Sequence, residues 1–184
     1  MATFMNPLPH VFLLGVTAAL CSAHDSVTQG MEFLRAYMPE QDKPVITEER
    51  LKREVRLALD VRSRFPWAGK VPWEVYENDV LPYAVVNEPR DEWREQFHNL
   101  FAPLVSSCKT GREAALTVAA CIQKTLHVKY STERRVPHQG VKESLESGKV
   151  SCTGQSILLI CALRSIGIPA RMAGVVTWNP VSYT

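Results

Sequence analysis

The sequence predicts an α+β fold in which a series of helices precedes a buried strand. Apolar residues recur at helical spacing in several segments before residue 127. Residues 157–163 are almost all apolar, which is typical of a helix buried on most sides. Ala170–Trp178 then shows little alternation of polar and apolar residues, as expected for a strand inside a core sheet.

The composition argues against several classes of protein. The chain has 184 residues, which suits one domain or one domain with an incomplete partner, and 46% of them are hydrophobic. Its net charge is +2, with no basic tail or face, so we predict no nucleic-acid partner. It contains no Cys or His motif typical of metal sites and no Gly-rich phosphate loop, so we predict neither a metal nor a cofactor.

Residues 1–23 are predicted to be a signal peptide. Val11–Leu20 is an apolar core too short to span a bilayer comfortably, and Cys21–Ala23 supplies small residues for cleavage. A lipid on Cys21 is the alternative, which the bulky Leu20 disfavours. We expect a secreted or extracytoplasmic protein beginning near His24. No later stretch is long and apolar enough for a membrane span.

Residues 24–90 are predicted to form a helical N-terminal region. Thr47 can cap a helix whose first turn carries Glu48 and Glu49, which the helix dipole favours. The apolar stripe of this helix consists of Leu51, Val55 and Ala58. Phe65–Gly69 should end it.

An aromatic connection interrupted by prolines is predicted over Val71–Pro89. We expect its aromatic side chains to fill a shallow core rather than to line a groove. Pro89 suits the first turn of a further helix, since its missing N–H is not needed there. The apolar face predicted for that helix consists of Trp93, Phe97, Leu100 and Leu104.

The next helix is predicted over Arg112–His127, after a capping box formed by Thr110 and Glu113. We expect it to pack against the helix that follows Cys152. Its predicted face consists of Ala115, Val118, Ala119, Ile122 and Leu126. Because Cys121 would lie roughly 15 Å along its axis, we predict no disulfide with Cys108.

Cys152 is the candidate nucleophile. Ser151 is a plausible N-cap, which places Cys152 at the start of the buried helix, where the dipole favours a thiolate. Gly167 and Pro169 should end that helix. Cys161 lies inside the apolar run and is interpreted as a core residue.

The nucleophile segment resembles that of the transglutaminase-like superfamily. The resemblance rests on Ser151–Gly154, followed by an apolar helix and then Arg164–Arg171, and covers roughly residues 130–178. A weaker echo lies in Val80–Tyr83 and Asp91–Arg94. The resemblance implies a papain-like core over residues 91–184, a Cys–His–Asp triad, and Cys152 as its nucleophile.

The same resemblance implies that the catalytic His follows the nucleophile helix on a later strand, and that the Asp comes later still. Both are expected beyond Thr184, so we predict a core incomplete at its C-terminus that carries only the nucleophile half. Such a chain is expected to be inactive alone. Its open sheet edge is expected to cause self-association.

The histidines after the signal peptide offer one tempting base. His98 is expected to be exposed on its helix, and His127 to end a helix, where the dipole favours a cation. His138 lies in the loop over Ser131–Gly140 before the nucleophile. Gln139 beside it could donate to an oxyanion, but a structural role is favoured. A short helical turn is predicted over Ser144–Ser147.

Two interpretations remain open at this stage. In the first, the protein is a cysteine acyltransferase or peptidase that forms a thioester at Cys152 with a protein or peptide substrate. In the second, it is a non-catalytic binding module, or an incomplete gene product, of the same fold.

Overall fold

The structure is a computed structural model that describes residues 26–174. The predicted signal peptide and residues 175–178 of the predicted strand lie outside the described residues. The described helices are α1 (26–36), α2 (Glu48–Arg64), α3 (Pro66–Gly69), α4 (Trp73–Asp79), α5 (Arg94–Phe101), α6 (Gly111–Leu126), α7 (Val141–Ser147) and α8 (Cys152–Ser165). Single 3₁₀ turns cover Glu40–Asp42 and Pro103–Val105, and the strands are β1 (Lys129–Tyr130) and β2 (Lys149–Val150).

Helix α8 is the centre of the described fold. It packs against α5 and α6, and also contacts α2, α7 and β2. β1 and β2 pair in parallel, with Tyr130 opposite Val150, immediately before α8 begins. The described part is therefore mostly helical with a small two-stranded sheet, which is compatible with the predicted α+β class.

The predicted helix starts are confirmed where a side chain caps the helix. Thr47 Oγ1 accepts a hydrogen bond of 3.2 Å from Arg50 N, and Thr110 Oγ1 accepts one of 3.2 Å from Glu113 N. α6 ends as predicted at His127, whose φ of 53° is left-handed. α2 ends at Arg64, before the predicted stop at Phe65, although Pro66 then begins the short helix α3.

The predicted start of α5 is wrong, and its predicted face is correct at Trp93 and Phe97, which are buried, but wrong further along the chain. Pro89 does not open it: the chain turns there, with Asp91 N donating to Pro89 O at 2.9 Å, and the helix begins at Arg94. The predicted face residues Leu100 and Leu104 are 38% and 43% exposed. Phe101 and Val105 are buried in their place. Leu100 and Phe101 follow Phe97 by three and four residues, and either spacing places a side chain next to Phe97 on a helix surface. The sequence alone therefore did not distinguish them.

Two further predictions about helical segments need correction. The segment Val71–Pro89 contains helix α4, although its tyrosines Tyr76 and Tyr83 are buried as expected. Helix α7 begins at Val141, before the predicted turn at Ser144.

The described part of the predicted strand, residues 170–174, is not a strand. The start of this segment is held at the end of α4, because Ala170 N donates to Asp79 O at 3.0 Å.

On α6, Ala119 of the predicted face is exposed, whereas Val118, Ile122 and Leu126 are buried as predicted. Cys108 and Cys121 both carry free thiols.

The segments that precede residue 91 pack closely on the C-terminal end of α8. The indole of the buried Trp67 donates to Ile166 O at 2.9 Å. The buried Arg164 donates to the carbonyl oxygens of Asp79 and Ala84, at 3.0 and 2.6 Å. These bonds hold one end of α8, and they leave its other end, at Cys152, open to solvent. Within residues 26–174, no helix combines the length and hydrophobicity needed to cross a bilayer.

Candidate functional site

Cys152 is the first residue of α8, and it is exposed. Ser151 caps the helix as predicted: its Oγ accepts a hydrogen bond of 2.9 Å from Gly154 N. The same hydroxyl donates to Pro137 O, so it ties the 131–140 loop to the start of the helix. The N-cap therefore fixes both the backbone at Cys152 and the loop beside it.

Two backbone amides at the start of α8 are free. Gln155 N donates to Ser151 O and Gly154 N donates to Ser151 Oγ. The amides of Cys152 and Thr153 have no hydrogen-bond acceptor among the described residues. Unpaired N–H groups at a helix start, together with the dipole, attract negative charge. Two donors thus lie beside the thiol where an oxyanion would develop.

Cys152 lines an open groove of about 400 Å³ between α6 and α8, which we call the Cys152 groove. Its other surface residues are Ala119, Ala120 and Gln123 from α6, and Gln155, Ser156 and Leu159 from α8. Buried aliphatic side chains complete its lining. Among the described residues that line the groove, none is Asp, Glu, Lys, Arg or His.

Two carboxamides face each other across the groove. Gln123 Nε2 donates to Gln155 Oε1 at 3.2 Å. This pair could not be expected from the sequence alone, since the two residues lie on different helices. Gln155 is one turn after Cys152, and that spacing is the one signal in the sequence that could have placed it near the thiol.

The described histidines do not form a base for Cys152. His98 was expected to be exposed, but it is half-buried, with Nδ1 3.0 Å from Ser165 O at the far end of α8. That carbonyl is thirteen residues from Cys152, or roughly 20 Å along the helix. None of His98, His127 and His138 hydrogen-bonds to the Cys152 thiol.

The loop before the nucleophile has a structural role. His138 lines a separate surface cavity with Asn87 and Arg135, not the Cys152 groove. Gln139 is buried, and its Nε2 donates to Ser147 Oγ at 3.4 Å, so it is bonded to the end of α7.

Asp91 fixes the start of helix α7, which precedes the nucleophile. Its Oδ2 accepts a hydrogen bond of 2.9 Å from Lys142 N and so serves as an external cap, since Gly140 has no side chain to do this. A Cβ at Gly140 would lie 2.3 Å from that Asp91 oxygen. Glycine is therefore required for this close approach, and Asp91 anchors the segment that leads to Cys152.

Cys152 is expected to be alkylated by iodoacetamide at least about tenfold faster than Cys161 near neutral pH. Cys152 is exposed, whereas Cys161 is fully buried, and that burial raises the pKa of the Cys161 thiol far above its usual range. The thiolate is the reactive form of cysteine. Peptide mapping of the native protein after timed alkylation measures both rates. Faster labelling of Cys161 would contradict the assignment.

The described residues do not include a group of three or more His, Cys, Asp and Glu side chains placed to hold a metal ion. At the Cys152 groove, the groups available for chemistry include a thiol, two backbone amide donors and two carboxamides.

A comparison with protein families found a match over residues 98–183 to the transglutaminase-like superfamily. The matched stretch includes the second half of α5 and all of α6, α7 and α8, and with them Cys152. The predicted resemblance is therefore confirmed over a longer stretch than the 130–178 expected from the sequence. A search of curated proteins and a search of solved structures each found no match.

Proposed function

From this match we propose that the chain carries the nucleophile half of a papain-like transglutaminase core, and that Cys152 is its nucleophile. The observation that carries the proposal is the exposed thiol at the start of α8, beside two backbone amides without acceptors. A thiol in such a place is suited to covalent catalysis. A buried position, like that of Cys161, would not be.

The proposed reaction is acyl transfer from an amide. The Cys152 thiol gives its proton to a base, and the thiolate attacks the carbonyl carbon of a protein or peptide amide. The amides of Cys152 and Thr153 stabilise the oxyanion that forms. The C–N bond then breaks, the leaving nitrogen takes up the proton, and a thioester remains on Cys152. An amine or water resolves the thioester, which gives a new amide or a carboxylic acid and restores the thiol.

The base is proposed to come from outside residues 26–174. This follows from the position of His98 at the opposite end of α8 and from the absence of a His127 or His138 bond to the Cys152 thiol within the described chain. The family resemblance implies a His and an Asp that follow the nucleophile helix. The predicted signal peptide would place the reaction outside the cytoplasm, as part of the same proposal.

The test uses protein purified from its native source, beside a Cys152→Ala variant. We expect the native protein to incorporate a fluorescent amine into a glutamine-containing protein, or to release ammonia or a peptide product. We also expect intact-mass analysis to show a thioester intermediate on the peptide that contains Cys152. A general base alone contributes roughly 10²–10⁴-fold to the rate. Cys152→Ala removes the nucleophile itself and should therefore abolish the covalent route.

Turnover that survives in Cys152→Ala would show that the thiol is not the nucleophile. A Cys161→Ala variant is the matched control, because it removes a buried thiol from the same helix and should retain the thioester.

A further inference from the structure

We infer that the Cys152 groove binds the uncharged peptide segment around the acyl-donor amide, and that Gln123 and Gln155 distinguish an amide from a carboxylate there. The inference rests on the proposed function, because it takes Cys152 as the residue that receives the acyl group. It adds the class of segment that the groove accepts and the two residues that select it.

The hydrogen-bonding capacity left on the glutamine pair matches an amide. The bond between Gln123 Nε2 and Gln155 Oε1 uses one donor and one acceptor, and leaves the other end of each carboxamide without a partner among the described residues. One carboxamide oxygen and one NH2 group remain without a partner among the described residues, and this is true whichever way the two amides are oriented. A substrate amide presents both a donor and an acceptor. A carboxylate presents acceptors alone, so it would leave the free acceptor unpaired.

The lining of the groove accepts an apolar, uncharged segment. Ala119 and Ala120 are exposed and small, and Leu159 on the facing helix is half-buried. No described lining side chain could pair with a charge on the substrate. A charged substrate side chain would lose water on entering the groove and would meet no side chain of opposite charge. Burial of an apolar side chain there would instead lower the free energy.

The start of α8 makes this selectivity measurable. Its dipole and free amides attract anions, so in the absence of the glutamine pair an anionic reagent would be favoured at Cys152. A preference for an uncharged amide at this thiol must therefore come from the groove. Iodoacetamide and iodoacetate are suitable probes, because they are similar in size and differ in carrying an amide or a carboxylate.

The first experiment measures the alkylation rates of Cys152 by both reagents in the full chain. The ratio of the iodoacetamide rate to the iodoacetate rate is divided by the same ratio for N-acetylcysteine amide. We expect a normalised ratio of about two to ten, the range expected from one neutral hydrogen bond. In the double variant Gln123→Met/Gln155→Met it should fall to one or below, because the dipole and the free amides then favour the anionic reagent. Gln96→Met, which changes a glutamine outside the groove, should leave it unchanged.

The second experiment tests the uncharged lining. N-benzyl iodoacetamide should react with Cys152 faster than iodoacetamide does, after the same normalisation. Ala120→Glu should remove this advantage, because it places a carboxylate in the groove. Leu116→Glu is the matched control: Leu116 lies one turn earlier on α6, is 59% exposed, and does not line the groove.

Several results would overturn the inference. A normalised ratio of one or less in the wild-type chain would show that the groove does not select amides. A fall in melting temperature in Ala120→Glu as large as that of a core substitution would show that other residues of the chain fill the groove. A dimer that Ala120→Glu dissociates would show that a second copy fills it. Alkylation needs no base, so these results do not depend on turnover, and Cys152-dependent turnover remains the separate test of the proposed function.

Discussion

Replacing Arg94 with methionine is expected to lower the free energy of unfolding by about 3–5 kcal/mol. Arg94 and Glu54 are 1% and 2% exposed, and Arg94 Nε lies 2.9 Å from Glu54 Oε2. The pair joins α5 to α2. Removal of the guanidinium leaves the Glu54 carboxylate buried without its partner, and an uncompensated buried charge is among the costliest single changes in a folded protein.

A second loss adds to the first. Arg94 Nη2 also donates to the carbonyl oxygens of Val80, Leu81 and Pro82, at 3.1, 2.9 and 3.2 Å. Val80 and Leu81 are fully buried, so their carbonyl groups cannot turn to water without local unfolding. Methionine fills part of the space but donates no hydrogen bond.

Urea denaturation of the purified chain and its variants measures the effect. Arg64→Met is the matched control, since Arg64 pairs with Asp60 on the surface of α2 and both are about half exposed; its unfolding midpoint should be nearly unchanged. The double variant Glu54→Leu/Arg94→Met should recover much of the stability, because no buried charge is left unpaired. A loss in Arg94→Met no larger than that in Arg64→Met would contradict the argument.

Local patterns predicted the nucleophile helix well. Ser151 was predicted to cap it and does so, and Gly167 was predicted as the left-handed residue that ends it and has φ of 75°. Both depend on residues close together in the chain. Thr47 and Thr110 were correctly predicted as helix caps for the same reason.

Features that depend on distant residues could not be predicted. The burial of Phe101 rather than Leu100 follows from how α5 lies on α8, which one helix's own periodicity does not determine. The strands β1 and β2 have two residues each, too few to show a period. The pairing of Gln123 with Gln155 requires knowing that α6 and α8 are neighbours.

The segments Val80–Tyr83 and Asp91–Arg94, expected from the sequence to be weak echoes of the family, lie outside the matched residues 98–183 and contact each other. Arg94 ends the echo over Asp91–Arg94, and it donates to carbonyl groups within the other echo, Val80–Tyr83. Arg164 of the nucleophile motif donates to neighbouring carbonyl groups, including that of Pro82 at 3.2 Å. Burial lowers the pKa of Arg164 to about 10, so it remains charged at neutral pH. The buried guanidinium groups of Arg94 and Arg164 thus hold one turn-rich segment against α5 and α8.

Gly167→Ala is expected to lower the free energy of unfolding by about 2–5 kcal/mol. Two causes contribute. The φ of 75° at Gly167 is left-handed, which costs an alanine about 1–2 kcal/mol. A Cβ there would also lie 2.4 Å from the Ala68 Cβ and 3.0 Å from Val61 Cγ1, and overpacking of this kind costs about 1–3 kcal/mol. The absence of a side chain at Gly167 therefore lets the C-terminal end of α8 lie directly on α2 and α3.

Chemical denaturation of three variants separates these causes. Gly174→Ala is the control: a Cβ at Gly174 meets no described residue within 4 Å, and its stability should match that of the wild type. Gly167→Ala/Ala68→Gly removes the closest clash and keeps the left-handed φ. It should therefore be more stable than the sum of the two single changes predicts, which a double-mutant cycle measures. If Gly167→Ala were as stable as Gly174→Ala, the close packing of α8 on Ala68 would not hold in solution.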